Sequence, residues 1–444
     1  MSNKFAEIVV DSYQDPTKKL FTYRVPENLA DSVKEGMKVI APFGKRVVEG
    51  YIWSITPNKP PFPTKPIEAI KEPGFSETQL KLAKWMAKRY LASPLDCLKC
   101  QIGGKGEKSA NSPVESVTTL ILVPAASQVK LRAQTGPKGT IVGSRSAVFT
   151  ALPNLKKIIV EEPENWNYKD ERSPYYHTAE VAQKRAELEG LEIETHPQNP
   201  KIKPCRIVDL GSEKSAGNFT LISQPLEHIL TSGKYTLVYV NSKELQDKIK
   251  EEIRKIGADK NRYEIAGPEI FSAVGKEFSS IVWADVDTLL NLPDFRAHEK
   301  VVWSVRKLSQ ITKGELILQT SFPQNPLFED LATGNLDNFN RREQPIRREL
   351  NYPPFSTLVK LSFTAKSSAK ANLKAERLYE LLSVDYRLPK MEVSPPYESY
   401  AKTPGKTQIN IVVRTKPGEL EPLVKLAEVV PPEWKVEVEP ESLL

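Results

Sequence analysis

The chain has 444 residues, of which 39% are hydrophobic and 27% charged, and a formal net charge of +7. That length accommodates about three domains. Apolar runs fall short of the roughly 18 residues that a membrane helix needs, and the start "MSNKFAEIVVDSYQD" lacks the basic, apolar and small-residue regions of a secretion signal, so a cytoplasmic protein is expected.

In chain order, "FAEIVVDS", "LFTYRVP", "MKVIAPFG" and "EGYIWSIT" are short apolar runs broken by turn residues, the pattern of a small antiparallel barrel or sandwich. Phe21 and Tyr23 are assigned to opposite faces of one strand, so that at most one of them is open to stacking. After the proline-rich "NKPPFPTKP" comes "SETQLKLAKWMAKRYLA", a helix with Ser76 as its N-cap. Residues 1–109 hold 18 Lys and Arg against 12 Asp and Glu, so six of the seven net positive charges sit there, a footprint for a polyanion or simply a basic surface. The three cysteines, Cys97, Cys100 and Cys205, build no disulfide framework. Cys97 and Cys100 form a CxxC without a second pair or a nearby histidine, and are read as two helix-borne thiols rather than a metal site.

The turn-rich stretch "GGKGEKSANSPVES" contains a linker, placed at 106–117 between a first domain, 1–105, and the rest of the chain. From Thr118 onward, apolar strand runs such as "TTLILVP", "KKIIVEE", "TLVYVNS" and "ELILQTS" alternate with helical stretches at 177–190 and 243–257. Strands apolar throughout, alternating with helices, indicate parallel α/β sheets, here in two lobes, 118–205 and 206–345. In "RREQPIRREL", Arg341, Arg342, Arg347 and Arg348 are read as a solvated helix face in preference to a phosphate site. The remainder, 346–444, reads as strand, helix (369–382) and two further strands, an α+β domain. The fold class is therefore multidomain α/β.

A phosphate-cradling loop has the form GxxxxGK[ST], in which backbone N–H groups wrap the phosphates while Lys and Ser or Thr reach the terminal phosphate and Mg²⁺. The look-alike "GGKGEKS" supplies Lys108 and Ser109 but puts Glu107 in place of the glycine, a negative charge against a phosphate. In "IIVEEPENWNYK", Glu161 and Glu162 follow a strand run, where a parallel sheet would present a Mg²⁺-binding acid and a water-activating base. Without a phosphate loop they have no nucleotide to bridge.

Four stretches together resemble the primosomal protein N′ family of replication-restart superfamily 2 DNA helicases: "KLFTYRVPENLADSVKEGMKVIAPFGKR", "IVGSRSAVFTALPNLKKIIVEEPENWNYKDERSPYYHTAEVAQKRAELEG", "ADVDTLLNLPDFRAHE", and "NYPPFSTLVKL" with the terminal "VEVEPESLL". The resemblance runs through the chain in order. It implies a small N-terminal β-rich domain binding a DNA 3′ end, two reduced RecA-like lobes and a C-terminal primosomal domain. It also implies DNA (forked, single-stranded, with a 3′ end) as partner, possible contacts with single-strand-binding protein and other primosome proteins, and a monomer. Carried over by local alignment, the 3′-end pocket falls on Phe21 for stacking, Thr22 for the hydroxyl, Gly44 for close approach and Lys65 for phosphate, with Lys45 and Arg46 suited to the backbone.

The family uses ATP, Mg²⁺ and Zn²⁺, and the chain departs from its pattern where those would bind. The phosphate loop is missing, the family's DEEH box corresponds to Glu161, Glu162, Pro163 and Glu164, and "VWSVRKLSQITKGELILQT" runs through the place of the arginine-bearing motif. The eight-cysteine zinc module is absent between "LVYVNS" and "YEIAGPEI". The expectation is a pseudo-helicase: a DNA-binding replication-restart protein with Glu161 and Glu162 as remnant acids and no cofactor. Two alternatives stay open, an ATP-dependent 3′–5′ DNA helicase with divergent motifs and an interaction scaffold without DNA affinity.

Overall fold

A computed structural model describes residues 4–11, 20–72, 74–104, 107–108, 116–197, 201–213, 221–273, 275–384 and 391–444. Most of the stretch read as a linker, residues 106 and 109–115, lies outside the described residues.

Twenty strands form four five-stranded sheets among the described residues. The first contains β1 (Phe5–Val10), β2 (Phe21–Arg24), β3 (Lys38–Phe43), β4 (Arg46–Thr56) and β5 (Ala69–Lys71) in the order β2-β1-β4-β3-β5. Every pairing in it is antiparallel. Its two edges meet, because Arg24 donates its backbone N–H to Lys65 (2.9 Å) and accepts from Ile67 (3.0 Å), closing the sheet toward a barrel. Alternation sends Ala6, Ile8 and Val10 of β1, Tyr23 of β2, Val39 and Ala41 of β3 and Ile52 of β4 into one buried cluster. Helix α1 (Glu77–Arg89) follows, and Ser76 caps it as the sequence predicts, in a full capping box with Gln79. Leu80, Leu82, Ala83 and Met86 of α1 pack with Val9 and Tyr51 on the outer face of the barrel.

The second sheet contains β6 (Glu107–Lys108), β7 (Thr119–Leu122), β8 (Thr140–Gly143), β9 (Lys157–Glu161) and β10 (Glu192–His196) in the order β10-β9-β7-β8-β6, parallel except for β6. The third, β11 (Arg206–Asp209), β12 (Thr236–Tyr239), β13 (Tyr263–Ala266), β14 (Phe278–Trp283) and β15 (Thr312–Thr320), is parallel throughout, ordered β11-β15-β14-β12-β13. In β12 all four residues are buried, which is why its sequence shows no alternation. These are the two RecA-like lobes. The fourth sheet, β16 (Thr357–Ala365), β17 (Glu392–Val393), β18 (Tyr397–Glu398), β19 (Thr407–Thr415) and β20 (Lys435–Val438), is antiparallel, and the helix Ser368–Val384 packs on it through Ala371, Ala375, Leu378 and Leu382.

The chain divides into two units, one of residues 1–124, 132–197 and 356–440, the other of 125–131, 198–355 and 441–444. In the first, a single buried cluster runs from α1 through the second sheet to the fourth. The second unit takes in "NYPPF" and the last four residues of the chain along with the all-parallel sheet. No helix is long and apolar enough to cross a membrane among the described residues.

Candidate nucleic-acid interface

β3 and β4 are joined by the two-residue turn Gly44–Lys45, with Phe43 opposite Arg46. Gly44 takes φ +62°, as the first central residue of a tight primed turn does, and nothing lies within 4 Å of where a Cβ would sit. Lys65, which precedes the strand-closing bridge, donates from Nζ to the Gly44 carbonyl at 3.1 Å. Phe43, the last residue of β3, meets Phe21, the first of β2, edge to face with ring centroids 5.0 Å apart and planes at 79°. One mouth of the barrel therefore carries Phe21, Phe43, the open Gly44 turn and the Lys65 ammonium. Lys45 and Arg46 are exposed on the same hairpin.

Thr22 is not at that mouth. Alternation turns it to the outer face, where it stands opposite Glu7 of β1. The assignment of Phe21 and Tyr23 to opposite faces is wrong for the same reason. Residues two apart on a strand share a face, and both pack on the barrel core, Tyr23 buried and Phe21 half-buried. Tyr23 donates its hydroxyl to the Pro42 carbonyl at 3.0 Å, and burial raises its pKa, so it is a structural strut while Phe21 keeps an accessible ring. Sequence reasoning missed Phe43; its signal was an aromatic immediately before a Gly-Lys turn. Nearby, Glu49 accepts from Lys38 and then Lys71, and these bonds bring its pKa down to about 2, which commits both lysines to a carboxylate.

Glu161 and Glu162, expected to be remnant acids, lie elsewhere in the first unit. Glu161 ends β9 and its Oε1 accepts from Arg132 Nε at 2.7 Å. Glu162 sits at φ +51° in the following turn, where Oε2 accepts from Asn165 Nδ2 at 2.9 Å. Tyr168 fastens the turn from behind, its hydroxyl 2.8 Å from both the Leu122 and the Glu161 carbonyls. The two acids are thus bound into the turn by their own chain. Glu107, the residue that spoils the loop look-alike, lies in β6 opposite Val142. A second fragment of the phosphate-loop pattern, Gly405-Lys406-Thr407, went unnoticed in the sequence. It forms a hairpin tip that leads into β19, whereas a phosphate loop opens a helix. Among the described residues, these acids and the Gly405–Thr407 tip do not form the phosphate cradle that ATP and Mg²⁺ need.

Cys97 is buried and Cys100 donates its thiol to the Cys97 carbonyl at 3.3 Å, with burial the main cause pushing the Cys100 pKa well up. Burial likewise pushes Cys205 up to about 12. Neutral thiols are poor metal ligands, and no group of three His, Cys, Asp or Glu capable of holding a metal occurs among the described residues.

In the second unit the arginine row is only partly the solvated face expected. Arg347 is buried and reaches Glu299 at 2.9 Å and Glu343 at 3.3 Å, Arg342 pairs with Asp330, and the Arg348 guanidinium lies 4.6 Å from the Phe355 ring centroid. Only Arg347 of the four is buried, where Glu299 and Glu343 compensate its charge; Arg341, Arg342 and Arg348 are exposed on the helix Asp337–Glu349. Asp294, Phe295 and Arg296 are tied into the fold of the second unit. The Asp294 carboxylate is wholly enclosed and accepts from Lys300 (3.0 Å), the Arg296 backbone (3.0 Å) and Ser442.

Residues 7–102 match the family model of the PriA 3′DNA-binding domain, which covers the barrel, its mouth and α1. The chain is PriA-like. It is 21% identical to the replication restart protein PriA of Bacillus subtilis (strain 168) over 398 residues, covering 62% of this chain and 49% of the relative. With PriA of Thermotoga maritima it shares 20% over 429 residues, covering 70% of this chain and 58% of the relative, and with PriA of Chlamydia trachomatis 30% over 136 residues, covering 28% and 18%. The chain spans about half the length of the Bacillus relative.

Proposed function

We propose that this PriA-like chain binds DNA at replication forks by holding a nascent 3′ end in the barrel mouth, and that it does so in replication restart without an ATP-driven motor. The observation that carries the reading is the convergence of Phe21, Gly44 and Lys65, distant in sequence, on one rim. Each supplies what a single-strand end requires: a ring to stack a base, an open backbone for close approach and a cation for phosphate. Thr22, on the outer face, contributes only where the end passes over the strand. Lys45 and Arg46 extend the positive rim along the hairpin. The motor is argued away by chemistry. Phosphoryl transfer needs a phosphate cradle, a metal-holding acid and a charge-stabilising arginine. Here the first and last are missing from the sequence and Glu161 is already paired with Arg132. Action in the cytoplasm as a monomer, with single-strand-binding protein or other primosome proteins as partners, belongs to the same reading.

Two assays test it together. Fluorescence anisotropy should show salt-sensitive binding to forked DNA with a recessed 3′ end, tighter than to a blunt duplex. The same preparation should show no DNA-stimulated ATP hydrolysis. Hydrolysis that disappears in Glu162→Gln would restore the divergent-helicase alternative, and absence of DNA binding at low salt would favour a scaffold.

A further inference from the structure

Tyr235, the residue before β12 in the second unit, is 39% exposed and yet held in place. Its ring stacks on Phe278 of β14, with centroids 5.2 Å apart and planes at 15°, and Phe278 is itself wholly buried in the core of that unit. Its hydroxyl donates to Glu264 Oε2 of β13 at 3.3 Å. The ring is fixed on one face and at its tip, which leaves the opposite face to solvent.

Cations surround this ring. Leu237 stands beside Glu264 in the parallel register, so Tyr235 and Arg262, two residues earlier on each strand, share that face of the sheet. The Thr236 N–H donates to the Arg262 carbonyl at 2.9 Å and holds the two side by side. Lys276 reaches Glu264 Oε1 at 2.5 Å, the oxygen that Tyr235 leaves free. Lys234 and Arg262 are exposed, and neither forms an ion pair among the described residues. Of the acids nearby, Glu264 is engaged by Tyr235 and Lys276, and Asp259 accepts from the Asn261 N–H at 3.0 Å. The patch lies at the amino ends of the strands, whereas an α/β sheet receives nucleotides at its carboxyl ends. A lost ATP site therefore does not account for it.

We propose that Tyr235 is a base-stacking platform and that Lys234, Arg262 and Lys276 hold the flanking phosphates, giving the second unit its own contact with the single-stranded DNA of a fork; this rests on the reading that the chain acts on forks, but not on the barrel mouth. A single strand uses every part of the patch, because its bases are free to lie on a ring while its backbone meets the cations. A duplex keeps its base faces in the stack and would leave Tyr235 unused. A ring fixed before binding loses little freedom when a base lies on it.

The test is anisotropy of the full chain on a closed circle of single-stranded oligothymidylate, which has no 3′ end to enter the barrel mouth. The wild type should bind it, and Tyr235→Ala should weaken binding about tenfold, the worth of one base–aromatic stack. Tyr235→Phe keeps the ring and its seat on Phe278 and should bind as the wild type does. The double variant Lys234→Ala with Arg262→Ala changes only exposed, unpaired side chains and should lower the slope of log K against log salt by about 1.4. An unchanged preference of Tyr235→Ala for the 3′-ended fork shows that the variant is folded. A wild type that ignores the circle, a Tyr235→Ala protein that binds it like the wild type, or a Tyr235→Phe protein that binds as poorly as Tyr235→Ala overturns the platform. Each of these leaves the 3′-end reading intact where Phe21 still decides the fork preference; equal binding of forks with and without a 3′ end would sink that reading and leave the platform standing.

Discussion

At Gly44 the backbone takes the left-handed conformation that a side chain penalises, yet there is room for a Cβ. Gly44→Ala should therefore fold, lose about 1 kcal/mol, and lower affinity for a 3′-ended fork by narrowing the approach to the turn; urea melts and anisotropy on the same protein separate the two effects. Asp294 offers a second residue-scale test. Burial would raise its pKa, but the bonds from Ser442, the Arg296 backbone and Lys300 outweigh it, so the folded value lies below the unfolded one. Its contribution is then present above the unfolded pKa of about 3.9 and fades as pH falls through the folded value. Asp294→Asn should cost about 3 kcal/mol at pH 7 by leaving Lys300 uncompensated, and the gap to wild type should narrow as pH falls below the unfolded pKa; a gap that stays constant would contradict the arrangement. These details were unevenly legible in the sequence. Gly44 followed by Lys45 announced a turn. The faces of Phe21 and Tyr23 were misassigned although the period-two rule decides them, and Phe43 was invisible because nothing local says that the ends of β2 and β3 meet across a barrel.

At the scale of elements, α1 rests on its cap. Ser76 accepts from the Gln79 backbone at 3.2 Å while the Gln79 side chain accepts from the Ser76 N–H at 3.0 Å. Ser76→Ala should cost about 1 kcal/mol, read as a shifted urea midpoint with an unchanged slope, and since α1 covers the outer face of the barrel, DNA binding should weaken only as far as the barrel loosens. This element was readable in advance because capping is a local signal, as were the strand runs of the lobes, apolar on both faces. The two-residue strand β6, inside a stretch read as a linker, was not, since two residues carry no periodicity and its partner β8 is more than 30 residues away. The Gly405–Thr407 tip shows the converse: a local phosphate-loop fragment whose meaning is decided by the strand that comes after it.

For the molecule as a whole, the basic excess in the first quarter and the mouth of the barrel belong to the same domain, the one that matches the PriA 3′DNA-binding model. Binding driven by phosphate neutralisation must weaken with salt, and Lys65→Ala should reduce the slope of log K against log salt by about 1, checked by titrations at several salt concentrations; an unchanged slope would remove Lys65 from the DNA path. The fold class was legible because alternation and its absence report burial directly. How residues 440–444 divide between the two units was not, because the contacts of Glu441 and Ser442 with Arg296 and Asp294 bridge some 145 positions of chain. The most direct measurement of the central claim is anisotropy of wild type and Phe21→Ala on a fork with a recessed 3′-hydroxyl and on the same fork with that end removed. The account predicts that the wild type prefers the 3′-ended fork and that Phe21→Ala, still folded, binds the two alike. Equal binding by the wild type, or a preference that survives Phe21→Ala, would contradict it.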